Sequence, residues 1–134
     1  MDFDTAKIII YVFCVIGILD TGYLIYHKFK HTDVACLFFP KKWCRKVQYS
    51  KQSTTFGIPN SFAGFVMYST ILVLTYLVSQ GSVDFDWVKG VITAGFLFSM
   101  YFTFVQAFVL RAFCTWCVVS AINFTIMFLT AWSV

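Results

Sequence analysis

Residues 90–110 read GVITAGFLFSMYFTFVQAFVL, a run of 21 residues without a charged side chain. An α-helix rises about 1.5 Å per residue, so a run of this length crosses the roughly 30 Å of hydrocarbon in a bilayer. Three other windows have the same character: residues 8–26, in which Asp20 is the one charged residue, residues 62–78 and residues 112–134. The sequence therefore predicts four membrane-spanning helices.

The composition agrees with a membrane protein and excludes several other classes. Hydrophobic residues make up 60% of the 134 residues and charged residues only 12%, and the mean hydropathy is +0.79. A chain of this size buries only part of its surface, so a soluble fold would expose too much apolar area. A disordered chain needs low hydrophobicity, and a small secreted disulfide protein has a polar exterior. No nucleic-acid-binding signature is present, so we expect membrane lipid as a partner and no nucleic acid.

The predicted fold class is all-α and integral to the membrane: a single domain, residues 1–134, forming a bundle of four transmembrane helices. The predicted helices cover about residues 7–28, 60–79, 88–110 and 113–133, and a long loop of about residues 29–59 joins the first two. Four spans place this loop and the turn near Arg111 on one side of the membrane, and both termini on the other.

The sequence Cys114-Thr115-Trp116-Cys117 opens the predicted fourth helix. Positions i and i+3 lie on one helical face, close enough for a disulfide once the first turn adapts. The amino terminus of the helix stabilises a thiolate, and the guanidinium of Arg111 adds to this field. Such a pair suits thiol–disulfide exchange near the membrane surface. The alternative is two small apolar residues that only pack.

Cys36 and Cys44 form a second pair in the predicted loop, on the same side of the membrane as Cys114. Two dithiols within reach of each other predict a relay in which electrons enter at one pair and leave from the other. The alternative is a zinc site of four cysteines, although the seven residues between the loop cysteines do not match the usual C-x-x-C spacing. Cys14 lies in the middle of an apolar helix, where a packing role is expected.

The electron acceptor predicted for this relay is a quinone dissolved in the bilayer. The chain contains no P-loop, dinucleotide fingerprint or haem attachment sequence. An apolar, aromatic-rich pocket with a few polar groups suits a quinone. Cys117 lies about one helical turn deeper than Cys114 and is expected to face it. The Asn60 amide is expected either to donate a hydrogen bond to a quinone carbonyl or to cap the second helix, as Ser61 also can.

Two polar side chains fall in or near the hydrocarbon. Asp20 is costly there, and the sequence leaves three explanations: a proton route to the quinone, a hydrogen bond to another helix, or protonation in place. Gln106, near the end of the third helix, is expected to hydrogen-bond between helices.

The motifs in their order resemble the vitamin K epoxide reductase family, and its prokaryotic homologues in particular. A loop cysteine pair is followed by Ser50, six residues after Cys44, then by the sequence FGIPNSFAG at residues 56–64, and then by RAFCTWC at residues 111–117. The resemblance extends from Tyr23 to Asn123. It implies a four-helix bundle around a quinone site, in which a thioredoxin-like protein is reoxidised and disulfides are made in client proteins.

The resemblance also assigns site residues. It implies that Cys114 and Cys117 are the active-site pair and that Cys36 and Cys44 are the shuttle pair. We expect no metal at this site. The resemblance places the polar side chains of Ser50 and Asn60 near the loop and the quinone. With two aromatic residues of the same motifs, they form the set of predicted contacts to a ubiquinone or menaquinone, namely Asn60, Ser50, Trp116 and Phe56.

The predicted activity is that of a disulfide-forming thiol:quinone oxidoreductase. A reduced thioredoxin-like protein is expected to attack the loop disulfide at Cys44, after which Cys36 attacks Cys114. Reduction of vitamin K epoxide and a non-catalytic four-cysteine metal site are the alternatives. Animal members have a Tyr shortly after the C-x-x-C, whereas residues 118–123 read VVSAIN, which argues against the epoxide. Because the chain ends at Val134, we expect the partner to be a separate protein.

The side of the membrane on which the cysteines lie has two opposite predictions. Eight of the ten Lys and Arg residues fall on the side of the loop, and the positive-inside rule places that side in the cytoplasm. Disulfides persist in exoplasmic compartments, where most family members have their cysteines, and this places the loop outside a cell membrane. The sequence leaves both orientations open.

Overall fold

A computed structural model describes residues 2–30, 32, 35–36, 39–55 and 57–134, with the side chains of Ser53 and Thr55 left out. The elements follow in this order: α1 (Phe3–Lys30), α2 (Lys41–Gln48), a 3-10 turn (Lys51–Ser53), β1 (Thr54–Thr55), β2 (Ile58–Pro59), α3 (Asn60–Ser79), α4 (Phe85–Phe104), a π-helical continuation of α4 (Val105–Leu110) and α5 (Thr115–Trp132).

The prediction of an all-α membrane bundle is confirmed. Four helical stretches are long and apolar enough to cross a bilayer: Phe3–Lys30, Asn60–Ser79, Phe85–Leu110 and Thr115–Trp132. The first begins four residues before the predicted start at residue 7 because Asp2 extends its amino-terminal turn, accepting a hydrogen bond from the backbone N–H of Thr5 at 3.3 Å. The other three lie close to the predicted ranges. The protein is therefore a multi-pass membrane protein.

Two aromatic rings fill the centre of the bundle and lie against glycines of neighbouring helices. The rings of Tyr68 on α3 and Phe124 on α5 stack with centroids 4.6 Å apart. Tyr68 lies against Gly17 of α1, and Phe124 lies against Gly95 of α4, so closely that a Cβ at either glycine would overlap the ring. Small residues at these positions let the helices approach, as is common between transmembrane helices.

We expect Gly95→Ala to destabilise the protein, because the added methyl group forces the Phe124 ring out of its place. Overpacking of this kind costs about 1–3 kcal/mol. Gly90, five residues earlier on α4, has open space around it, and Gly90→Ala is the matched control. Thermal unfolding in detergent should show a lower Tm for Gly95→Ala alone. Equal Tm values for the two variants would contradict this packing.

The long loop contains a helix, α2, that the sequence did not predict. Cys44 and Val47 are buried on its inner face, and its four cations are exposed on the outer face. Cys44 and Val47 are three residues apart, which is a helical spacing. A helix of eight residues is too short to give a clear periodic signal, however, and Pro40 and the basic residues are typical of a loop. After α2, Thr54–Thr55 and Ile58–Pro59 pair as a small antiparallel hairpin whose turn contains Gly57 at φ 80°.

The π-helical end of α4 turns sharply into α5 at Arg111. This residue has left-handed backbone angles, φ 53° and ψ 41°, which end the helix. The N–H of Ala112 donates to the carbonyl of Gln106 at 3.0 Å, and α5 begins at Thr115 with Cys114 as its N-cap residue. The predicted abrupt turn thus brings Cys114 to the start of a helix.

Candidate redox site

The two cysteine pairs lie together at one end of the bundle. Cys36 and Cys44 form a disulfide, while Cys114 and Cys117 are free thiols. The Cys36 Sγ lies 3.8 Å from the Oγ1 of Thr115, which is between the two free cysteines in sequence. The convergence predicted from the number of spans is therefore present in the fold.

The segment that carries Cys36 is held by side chains of α1 and α5. The indole N–H of Trp116 donates to the carbonyl of Ala35 at 2.7 Å. The N–H of Ala35 donates to the hydroxyl oxygen of Tyr23 at 3.0 Å. The rings of Tyr23 and Trp116 also pack against each other, with centroids 4.7 Å apart. These contacts place the loop disulfide over the first turn of α5.

The two loop cysteines differ in their exposure. Cys44, on the inner face of α2, is only 1% exposed, whereas Cys36 is half-buried. A nucleophile from another protein must reach the sulfur that it attacks. Cys36 is thus the accessible sulfur, and Cys44 is packed in the same buried cluster as Cys114. The expectation that the partner attacks Cys44 does not fit this packing, because α2 covers that residue.

Two glutamines form hydrogen bonds with Cys114, and no sequence motif predicted the first of them. The Gln48 Nε2 at the end of α2 donates to the Cys114 Sγ at 3.2 Å and lies 3.8 Å from the Cys117 Sγ. The N–H of Cys114 donates to the Oε1 of Gln106 at 2.9 Å. Gln106 therefore joins α4 to the start of α5, as its expected role between helices requires.

Hydrogen bonds to the Cys114 sulfur stabilise its thiolate. The Cys117 thiol donates the strongest of them, and the backbone N–H groups of Cys117 and Trp116 and the Gln48 amide add to it. Together they outweigh burial, which disfavours a charged sulfur, and lower the pKa of Cys114 to about 6. Near neutral pH the pair therefore holds a thiolate at Cys114 and a thiol proton on Cys117.

We expect Gln48→Leu to raise the pKa of Cys114, because the thiolate loses a donor. A hydrogen bond to a charged group contributes about 1.5 kcal/mol or more, which corresponds to roughly one pKa unit. The thiolate of the wild type should form as the pH rises through about 6, and that of the variant at a higher pH. Ultraviolet thiolate absorbance of the reduced protein measures this. Gln80→Leu, at an exposed position after α3, is the control, and identical titrations of all three proteins would contradict the assignment.

A cavity of about 310 Å³ lies between the four long helices, beside Cys117. Its walls are mostly apolar and aromatic, with Phe98, Phe102 and Phe124 among them. Cys117 lines this cavity and Cys114 does not. Its size and lining fall within the range of small-molecule sites. The fold thus places the deeper cysteine of the C-x-x-C against an apolar chamber.

The four predicted quinone contacts are placed differently. Asn60 and Trp116 line the cavity. The Asn60 amide also donates to the carbonyl of Gln52 at 2.8 Å, and neither Asn60 nor Ser61 caps α3, whose N-cap residue is Pro59. The Ser50 hydroxyl donates to the carbonyl of Val47 at 2.7 Å, outside the residues that line the cavity. The fourth prediction, Phe56, lies outside the described residues.

Asp20 and Cys14 are both buried on α1 but lie in different surroundings. Cys14 belongs to the apolar core cluster with Tyr68 and Met127, in agreement with a packing role. Asp20 is 4% exposed, and neither of its carboxyl oxygens has a hydrogen-bond partner among the described residues. A hydrogen bond to another helix, one of the three explanations for Asp20, is thus not found in this part of the chain.

Comparison with known proteins gives two findings. The model of the vitamin K epoxide reductase family matches residues 8–132. A protein of Arabidopsis thaliana named thiol-disulfide oxidoreductase LTO1 is 33% identical over 122 residues, which is 84% of this chain and 32% of that protein. The chain thus spans about a third of the length of this relative.

Proposed function

Because this chain belongs to the vitamin K epoxide reductase family, we propose that it is a thiol:quinone oxidoreductase that reoxidises a thioredoxin-like protein. One observation carries the proposal: a loop disulfide lies against the first turn of α5, whose second cysteine lines an apolar cavity between the helices. The accessible sulfur of Cys36 thus lies at one end of this arrangement, and the cavity between the membrane-spanning helices lies at the other end. The relative named as a thiol-disulfide oxidoreductase supports the same class of activity.

The proposed relay begins with a thiolate of the reduced partner. It attacks the Sγ of Cys36, which breaks the Cys36–Cys44 bond and releases the Cys44 thiolate. The second partner thiolate then closes the partner's own disulfide and frees Cys36. Both electrons of the partner dithiol now reside on the loop pair.

The second exchange moves the electrons to the inner pair. The Cys44 thiolate attacks the Sγ of Cys114 in the Cys114–Cys117 disulfide and releases Cys117. Cys36 then attacks Cys44, so that the loop disulfide forms again and Cys114 leaves as its stabilised thiolate. The oxidation states of the structure, with the loop pair bonded and the inner pair free, correspond to the end of this step.

The lining of the cavity suits a quinone of the ubiquinone or menaquinone type. When bound, a quinone accepts two electrons and two protons. The aromatic walls fit its ring, and the side chains of Asn60, Ser61 and Ser120 provide polar atoms for its oxygens. Trp116 connects the loop with the cavity, because it lines the cavity and its indole N–H donates to the carbonyl of Ala35.

The activity assay uses the purified chain in lipid nanodiscs with a reduced thioredoxin-fold protein and a short-chain quinone. The proposal predicts that quinone absorbance falls while the partner becomes oxidised in equal amount. Cys14→Ala should behave as the wild type, because Cys14 packs in the apolar core. Partner oxidation without quinone reduction would contradict the proposal, and turnover only with vitamin K epoxide would favour the alternative activity.

The alternative of a four-cysteine zinc site receives no support from the sulfur chemistry. Two of the four sulfurs that such a site needs are bonded to each other, and a disulfide sulfur is not a thiolate ligand. A metal assay on the purified protein distinguishes the two functions. One zinc ion per chain together with four titratable thiols would contradict the redox proposal.

The outer face of α2 suggests the charge of the partner. Lys41, Lys42, Arg45 and Lys46 are all exposed there, next to the loop disulfide. Opposite charge on a partner raises the rate of encounter, and salt screens this effect. We therefore propose a partner that is acidic around its dithiol.

We expect the double substitution Lys42→Glu and Lys46→Glu to lower kcat/KM for an acidic thioredoxin-fold partner by roughly tenfold at low salt, because the attraction becomes repulsion. The rate with a small neutral dithiol should not change. Lys89→Glu, on α4 at the other side of the membrane, is the control. An unchanged kcat/KM for the double variant at low ionic strength would contradict the docking role of α2.

Labelling after reduction determines on which side of the membrane the cysteines lie. Cys36 is the accessible sulfur, so a membrane-impermeant thiol reagent added to intact cells reacts with it if the loop is exoplasmic. Reaction only after permeabilisation indicates the cytoplasmic orientation that the positive-inside rule predicts.

A further inference from the structure

The carboxyl group of Asp20 lies in a place where a charge is costly. The residue is in the middle of α1, 4% exposed, and no described residue hydrogen-bonds either of its oxygens. Removal of a carboxylate from water without a partner costs several kcal/mol at least, so the group holds its proton in the resting protein. A protonated acid in the middle of a bundle is a source of one proton.

The surroundings of Asp20 connect it with the redox site. Leu24, one helical turn after Asp20 on the same face of α1, lines the cavity together with Cys117 and belongs to the buried cluster that contains Cys114. The Tyr68 hydroxyl is already bonded to Ser120, with the two oxygens 2.8 Å apart. The next residue of α1, Thr21, lines the cavity. Asp20 is thus adjacent both to the dithiol and to the chamber proposed for the quinone.

The proton balance of the proposed reaction leaves one proton unaccounted for. Reduction of a quinone to a quinol takes two electrons and two protons. Oxidation of the inner pair supplies both electrons. Because hydrogen bonds from the Cys117 thiol, from backbone N–H groups at the start of α5 and from Gln48 hold Cys114 as a thiolate, the pair carries a single proton, on Cys117. The second proton has to come from another group.

We propose that Asp20 stores this second proton and delivers it into the cavity when the inner dithiol is oxidised. This inference rests on the proposed quinone reduction. The Cys114 thiolate, the Cys117 thiol, the Asp20 carboxylic acid and a quinone give the Cys114–Cys117 disulfide, the Asp20 carboxylate and a quinol. Two electrons leave the sulfurs, one proton leaves Cys117 and one leaves Asp20, and the single negative charge moves from Cys114 to Asp20.

The next exchange with the loop restores the proton. The partner dithiol gives up two protons together with its two electrons, and these protons pass to the loop pair. When the loop pair reduces the inner disulfide, the products retain only one of them, on Cys117, because Cys114 ends as a thiolate. The other proton returns to the Asp20 carboxylate. The bundle thus has a carboxyl group and a thiolate that exchange one negative charge in each cycle.

The test compares Asp20→Asn, Asp20→Glu and a control, Asp86→Asn, at an exposed position of α4. Protein with a reduced inner pair is mixed rapidly with a short-chain quinone. We expect quinone reduction by Asp20→Asn to be slower by roughly 100-fold, the usual effect of losing a proton donor. Asp20→Glu should recover most of the rate, and Asp86→Asn should equal the wild type. Exchange of a reduced partner with the Cys36–Cys44 disulfide should be the same in all four proteins.

An infrared difference spectrum distinguishes proton transfer from a structural role. Oxidation of the inner dithiol by quinone should remove the carbonyl band of a protonated carboxylic acid in the wild type, and Asp20→Asn should lack this change. A rate for Asp20→Asn within twofold of the wild type, or a band that persists on oxidation, would overturn the inference while the proposed function stands. Failure of the wild type to reduce quinone would instead overturn the proposed function.

Discussion

Replacement of Cys117 by Ala is expected to abolish quinone reduction while the Cys36–Cys44 disulfide still exchanges with a reduced partner. Cys117 is the cysteine that lines the cavity, and without it the inner pair cannot form a disulfide. The remaining thiol at Cys114 has no bonding partner in its own pair. A coupled assay measures both activities in one sample: quinone absorbance for the second step and partner fluorescence or thiol content for the first.

Two controls accompany this variant. Cys14→Ala removes a buried thiol of the apolar core and should leave both activities intact. Thermal unfolding should show that Cys117→Ala remains folded, because the substitution removes only a thiol group at the edge of a cavity. If Cys117→Ala keeps full turnover with quinone, the direction of electron flow through the inner pair is wrong.

The second large effect concerns the order of the loop cysteines. We expect Cys36→Ser to lose turnover with the protein partner, because the accessible sulfur is gone, and to accumulate a Cys44–Cys114 disulfide. In this variant Cys44 still attacks Cys114 in the oxidised inner pair, and no thiol at residue 36 resolves the product. Peptide mapping under non-reducing conditions identifies the new bond.

The matched experiment uses a partner whose second active-site cysteine is replaced by Ser. Mixed with the wild-type chain, it should remain bonded to Cys36, since Cys44 is covered by α2 and only 1% exposed. A mixed disulfide at Cys44, or a Cys36–Cys114 bond in a Cys44→Ser variant under turnover, would restore the order expected from the sequence alone.

The membrane fold and the meeting of the cysteines were predictable because they depend on strong, long-range signals. An uncharged, apolar stretch of about twenty residues indicates a membrane span almost regardless of its exact sequence. An even number of spans then places residues 36 and 114 on the same side. The greater depth of Cys117 followed from its position one helical turn after Cys114. The structure agrees with each of these expectations.

The details of the loop were not predictable, because they depend on how α2 packs. This short helix covers Cys44, exposes its cations and brings Gln48 to the Cys114 sulfur. A glutamine carries no sequence signature for binding a thiolate, and the exposure of Cys36 relative to Cys44 follows only from the three-dimensional arrangement. Ser50 lies in the motif that suggested a quinone contact, yet its hydroxyl binds the end of α2.

We propose that the inner dithiol passes two electrons directly to a quinone at the cavity. The most direct measurement is a single turnover of chain in which Cys114 and Cys117 are reduced, the loop disulfide is intact and all other reductant has been removed. We predict that each chain reduces about one quinone and that the Cys114–Cys117 disulfide forms at the same rate. A quinone that stays oxidised while both thiols remain free would show that the inner dithiol does not reduce it.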